Sequence, residues 1–275
     1  MNYTTILVNL EAGRSNTHLL SVAKQVAERF NAVVIGSTAC SPMQMIYGDG
    51  YSYGDILEQD NKEIGREIAS VEAEFHAVFG NTPHYLDWRT AIISTSLAGH
   101  LAQEASRADL ILTHAATDEP FNGYRQISTG DLIMQAGRPV LLVVPETVPF
   151  RMERFIIGWK NTREARRAVH DALPLLMRAA QVDAVEIAPE DELGNAQRRL
   201  DDLTGWLSRH GVTARGHATV AGVNDADAFD AIVADRDADI VVAGAYGHSR
   251  AREWALGGVT RTLLRHPIRS SFVSH

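Results

Sequence analysis

The sequence predicts an α/β fold written twice in one chain, each copy a layer of parallel strands with helices on both faces. Three observations carry this. Ala108-Asp109-Leu110-Ile111-Leu112 returns as Ala238-Asp239-Ile240-Val241-Val242, and Gly137-Arg138-Pro139-Val140 returns as Arg265-His266-Pro267-Ile268; such self-similarity marks a repeated unit. Apolar runs of strand length alternate with stretches of helical periodicity. Several runs, among them Leu110-Ile111-Leu112 and Val140-Leu141-Leu142-Val143-Val144, are apolar at every position, the pattern of strands covered on both faces.

Taken in order, the first copy predicts strands near 4–10, 32–38, 82–88, 109–113 and 139–145, with helices near 15–30, 55–79, 91–106 and 128–137. The second predicts strands near 153–159, 182–188, 212–219, 239–243 and 268–274, with helices near 161–179, 190–210, 223–236 and 257–265. Leu7-Val8-Asn9-Leu10-Glu11 aligns with Ile156-Ile157-Gly158-Trp159-Lys160, so the first copy carries extra residues. Some of these form Ser41 to Gly54, which reads as a long surface loop. Asn161 and Glu164 have capping-box spacing at a helix start. Pro139 and Pro267 each open a last strand, where a missing N–H costs least. The boundary falls at 146–150, giving domains 1–147 and 151–275. The last strand of each copy is expected at its sheet's edge, paired with its counterpart, because an exposed apolar edge invites aggregation. The more polar 268–274 strand is expected to pair less strongly.

Composition narrows the function. A formal net charge of −8 and a pI near 5.7 disfavour nucleic-acid partners. They leave room for a small nucleotide in a nest of backbone N–H groups. The single cysteine, Cys40, excludes an internal disulfide and a cysteine zinc site and fits the cytoplasm. The N-terminal residues do not read as a signal peptide, and no run reaches the ~18 apolar residues of a membrane helix. Eleven histidines show no HExxH pair, so no metal is expected. His114 and His248 stand apart because each follows the fourth strand of its copy. No Gly-x-Ser-x-Gly elbow occurs.

The strongest chemical signal is Gly244-Ala245-Tyr246-Gly247-His248-Ser249-Arg250 with Gly257-Gly258-Val259-Thr260. It runs from the end of one strand to the start of the next helix, at the carboxyl edge where open parallel sheets bind ligands. Glycines allow close backbone approach to a phosphate, and a helix N-terminus offers free N–H groups and a positive dipole end. Thr260 and Ser249 add hydroxyls, and His248 and Arg250 add charge. Trp159 and Lys160 end the neighbouring first strand; the indole suits base stacking or core packing, and Lys160 either meets an anion or pairs with Glu164.

The Gly244-x-x-Gly247 spacing followed by Gly257 resembles the phosphate-binding motif of universal stress proteins. Trp159-Lys160-Asn161-Thr162-Arg163-Glu164-Ala165 resembles the bacterial tandem branch of that family. The resemblance implies two Rossmann-like, adenine nucleotide alpha hydrolase-like domains, each with a five-stranded sheet, packed as an internal pseudo-dimer; pairing of two chains into a homodimer stays open. It implies a stress-response module holding ATP or another phosphate-bearing molecule in the second domain. Two departures stand out: Lys160 and Glu11 occupy the place of the family's nucleotide-side Asp, and Gly258 replaces a hydroxyl residue. The first copy's equivalent loop, Thr113-His114-Ala115-Ala116-Thr117-Asp118-Glu119-Pro120, lacks the glycines and adds acid, so that copy is expected not to bind nucleotide; Ser128-Thr129-Gly130-Asp131 reads there as a helix cap. Two other readings stay open: a structural or chaperone-like protein working through a cleft between the copies, and a slow ATPase, which needs a magnesium-binding carboxylate and a base at the loop.

Overall fold

The computed structural model describes residues 2–43, 53–116, 122–145, 149–221, 225–245 and 268–275, with backbone alone at 53–56. The chain divides into two compact units. The first comprises Tyr3–Thr113 and Asp118–Ala136; the second comprises Met1–Asn2, His114–Thr117 and Gly137–His275.

The first unit contains β1 (Thr5–Asn9), α1 (Thr17–Phe30), β2 (Val33–Cys40), α2 (Tyr53–Phe79), β3 (Tyr85–Ile92), α3 (Leu97–Glu104), β4 (Leu110–His114) and α4 (Thr129–Ala136). Its strands run β3-β2-β1-β4, all parallel. β1 and β4 are almost wholly buried, as their apolar runs Ile6-Leu7-Val8 and Leu110-Ile111-Leu112 require. The helix expected over 91–106 is shorter. β3 keeps pairing with β2 as far as Ile92 opposite Cys40, and α3 starts only where the Ser96 hydroxyl accepts the Gly99 N–H at 3.2 Å. Ser128 caps α4 as expected, accepting from Asp131 N at 3.3 Å. Ser41, expected on a surface loop, is buried, and its N–H donates to the Tyr124 carbonyl at 2.8 Å. Residues 44–52 of that loop lie outside the described residues.

The second unit contains β5 (Val140–Val143), β6 (Arg154–Gly158), α5 (Arg163–Leu176), β7 (Gln181–Ala188), α6 (Leu193–Arg209), β8 (Ala214–Val220), α7 (Asp225–Asp235), β9 (Ile240–Gly244) and β10 (Ser270–Ser274). Strand order is β5-β10-β9-β6-β7-β8. All neighbours are parallel except β5 and β10, which pair antiparallel with Leu141 opposite Phe272. The last strands of the two repeats therefore meet, as edge-strand logic requires. The serines of β10 do not leave it exposed: Ser270, Ser271 and Ser274 are buried, and the Ser274 hydroxyl donates to Asp171 of α5 at 2.9 Å. Helices cover both faces. Phe229 and Val233 of α7 pack with Ile156 and Val241 on one face, while Gly244 meets α5 on the other.

Matching hydrogen bonds set the repeat in register. Asp109 accepts the N–H groups of Thr4 and Thr5 at 2.7 and 3.0 Å, and Asp239 accepts those of Glu153 and Arg154 at 3.0 and 2.8 Å. Leu10 N–H donates to Ser37 O as Trp159 N–H does to Val185 O, both at 2.8 Å. Ala115 N–H donates to Val143 O at 2.8 Å, and Ala245 N–H to Ser274 O at 2.9 Å. Leu10 is thus the counterpart of Trp159, Glu11 of Lys160, and His114 of Gly244.

Candidate functional site

From β6 the second unit's sheet grows in two directions, to β7 and β8 on one side and to β9 and β10 on the other. Chain connections therefore diverge at the carboxyl ends of β6 and β9, the place where an open parallel sheet leaves a ligand crevice. Gly158 lies opposite Ala243, so Trp159 and Lys160 emerge beside Gly244 and Ala245. Of the residues expected to bind, the structure brings Trp159, Lys160 and Gly244 to this edge. Gly247, His248, Ser249, Arg250, Gly257, Gly258, Val259 and Thr260 lie outside the described residues, as does the helix expected over 257–265.

Each described residue has a distinct environment. Trp159 is 9% exposed, and its indole Nε1 is buried without a hydrogen-bond partner among the described residues. A buried donor left unsatisfied costs about 1–3 kcal/mol, so it is a group that an acceptor would relieve. Lys160 is exposed, and among the described residues it has no ion-pair partner. The Lys160–Glu164 pair considered from sequence does not form: Glu164 turns to Arg163 at 3.0 Å instead. Burial opposes the Glu164 charge, but its own backbone N–H, Arg163 and the Thr162 hydroxyl outweigh it and lower its pKa. The cap of α5 is Thr162 rather than Asn161; its hydroxyl accepts from Ala165 N at 3.3 Å, while Asn161 accepts from Arg166 at 2.8 Å. The start of α5 therefore satisfies itself with its own acid and hydroxyl.

Gly244 has a packing reason to be glycine. A Cβ there would fall on the Ala165 nitrogen and within 2.5 Å of the Glu164 carbonyl carbon. The absent side chain lets the first turn of α5 close onto the end of β9, and the backbone of Gly244 faces that helix.

The equivalent edge of the first unit is sealed by its own chain. Asn9 Nδ2 donates to Thr113 Oγ1 at 2.9 Å across β1 and β4. The fully buried Asn16 closes the loop after β1, accepting from Glu11 N at 3.0 Å and donating to the carbonyls of Glu11 and Arg14 at 3.0 and 3.1 Å. Glu11 is 6% exposed and pairs with Arg14 at 3.1 Å. Beyond it, Arg125 joins Asp60 at 3.0 Å, Glu67 at 2.6 Å and the carbonyl of Ser41 at 3.0 Å. Sequence reading passed over Arg125, although Asp60 and Glu67 lie seven residues apart on one helix face and the arginine stands just before the Ser128 cap.

Fold and edge together define a class: a repeated α/β chain whose second repeat carries the glycine segment at its switch point and whose first carries Asn16 and the Arg125 ion pairs at the equivalent edge. Solved structures with this fold match the full chain. A universal stress protein from Archaeoglobus fulgidus DSM 4304 superposes with a TM-score of 0.70 at 13% identity, covering 98% of this chain and 97% of that one. A putative universal stress protein from Pseudomonas aeruginosa UCBPP-PA14 gives 0.58 at 18% identity, covering 99% and 93%. A functionally unknown protein from Pseudomonas aeruginosa PAO1 gives 0.59 at 16% identity, covering 99% and 92%. The chain thus has the universal stress protein fold in tandem, as the sequence resemblance implied. No protein-family model matches the sequence, and no curated protein does.

Proposed function

We propose that this chain is a tandem stress-response binding module. Its second repeat, the 151–275 domain, holds an adenine nucleotide or another phosphate-bearing small molecule at the carboxyl edge of β6 and β9. One observation carries the reading: the glycine-spaced segment leaves the sheet at Gly244 and Ala245, on the switch point, beside Trp159 and Lys160. Gly247, Gly257 and Gly258 would let the backbone approach the phosphates. Thr260, Ser249 and the N–H groups near Val259 would donate to them, and His248, Arg250 and Lys160 would supply charge. The first repeat, 1–147, takes no nucleotide, because Arg125 and Asn16 occupy its edge. The protein acts in a reducing compartment such as the cytoplasm, with Cys40 a buried free thiol.

The test is to denature purified protein and measure released nucleotide by mass spectrometry, with Gly247→Ala/Gly257→Ala as control. Adenine nucleotide near one per chain, missing from the control, is expected. Protein that arrives empty and gains no thermal stability from added ATP would overturn the reading.

A further inference from the structure

The Arg125 cluster lies outside the site proposed above. Its guanidinium is only 9% exposed, yet it holds three parts of the first unit at once. Nη2 donates to Asp60 at 3.0 Å and Nε to Glu67 at 2.6 Å, both on α2; Nη1 donates to the Ser41 carbonyl at 3.0 Å, just past β2. Asp60 uses its other oxygen to accept the Met43 N–H at 2.8 Å. Glu67 Oε1 would lie 3.3 Å from a Cβ at Gly13, so α2 also reaches the loop after β1. Beneath the ion pairs, Ile64 and Ile68 of α2 bury Ala12 and Cys40, and Cys40 is fully enclosed.

We propose that Arg125 is a latch that holds α2 over the carboxyl ends of β1 and β2, keeping the first unit's ligand edge shut and Cys40 out of solvent. Among the described residues the apolar contact at this end of α2 is the four-residue cluster of Ala12, Cys40, Ile64 and Ile68, so the ion pairs carry much of the hold on the segment. Removing the arginine leaves two carboxylates facing each other with no counter-charge among the described residues, in a place where water is mostly excluded, and a buried pair broken at one partner is strongly destabilising. The cheapest relief is local: this end of α2 lifts, Asp60 and Glu67 reach water, and the sheet beneath stays folded. Burial pushes the Cys40 thiol up to about 11, with Arg125 pulling it down and Glu67 and Asp60 pushing it up. Lifting α2 returns the thiol toward its ordinary range and makes it reactive.

Cys40 is the chain's only cysteine, so it reports the opening directly. Its thiolate attacks the disulfide of DTNB, forming a mixed disulfide on the protein and releasing one coloured thionitrobenzoate. The full chain is compared as wild type, as Arg125→Gln, and as Asp109→Asn, which loosens the amino end of the same sheet. Arg125→Gln is expected to raise the native-state rate by roughly tenfold or more, beyond what Asp109→Asn gives for its own loss of melting temperature. A rate equal to wild type, or one that only follows the loss of global stability as in Asp109→Asn, overturns the latch. Wild-type protein supplies an arm that needs no variant. A modification rate flat in urea below the unfolding transition supports local opening, and a rate that climbs with the full unfolding slope overturns it.

Discussion

Three single residues carry effects that their neighbours decide. Trp159 buries an indole N–H with no partner among the described residues, at the edge where a ligand is proposed. Trp159→Phe keeps most of the ring and deletes the donor. Its ligand-free melting temperature is expected to stay within about 4 °C of wild type, the change that one kcal/mol makes in a chain of this size. Its stabilisation by added ATP is expected to shrink; an undiminished ATP shift would assign the indole to packing alone. Cys40 makes a pH prediction. Its folded pKa is raised from the ordinary 9.0 to about 11 by burial. Below 9.0 both folded and unfolded thiols are protonated and the group has no effect; between 9.0 and about 11 the unfolded thiol ionises while the folded one does not. Stability is therefore lost as pH rises through that window. The melting temperatures of wild type and Cys40→Ala, followed across it, should show the steeper fall in wild type, and parallel curves would contradict the assignment. Gly244 makes the third. Gly244→Ala forces a methyl onto the α5 backbone and should destabilise by about 1–3 kcal/mol, read by urea unfolding. Lost binding in that variant would not identify a ligand contact, which is why Gly247 and Gly257 are the informative positions.

At the scale of elements, the chain's alternating pattern was legible to within a few residues. The periods of strand and helix are local properties, and both copies report them. Errors fell where a side chain outside the pattern decided an end. Ser96 delays α3, and Thr162 starts α5 one residue after the capping spacing suggested. Asp109 and Asp239 show the reverse case. Each was visible only as part of a repeated Ala-Asp string, yet each ties the amino end of its fourth strand to its first through two backbone N–H groups. The repeat in sequence is therefore a repeat of hydrogen bonds. The polar character of β10 does not leave it exposed: its serines are buried, and Ser274 is bonded to α5.

For the whole molecule, the two repeats share a fold and differ at one edge. The carboxyl end that carries the glycine segment beyond Gly244 in the second unit carries Asn16, Arg125 and α2 in the first. The proposed function expects one nucleotide per chain, and two would contradict its assignment of the first repeat as empty. Sequence alone determined the α/β class, the duplication, the order of the described strands and helices, and the start of the glycine segment at a strand end. Those follow from periodicity and from residue spacing, which act over a few neighbours. Tertiary structure alone decided that Arg125 meets Asp60 and Glu67, that Gly244 is required by α5, and that the Trp159 N–H has no acceptor among the described residues. Each depends on groups brought together from separate elements, whose partners no local pattern names.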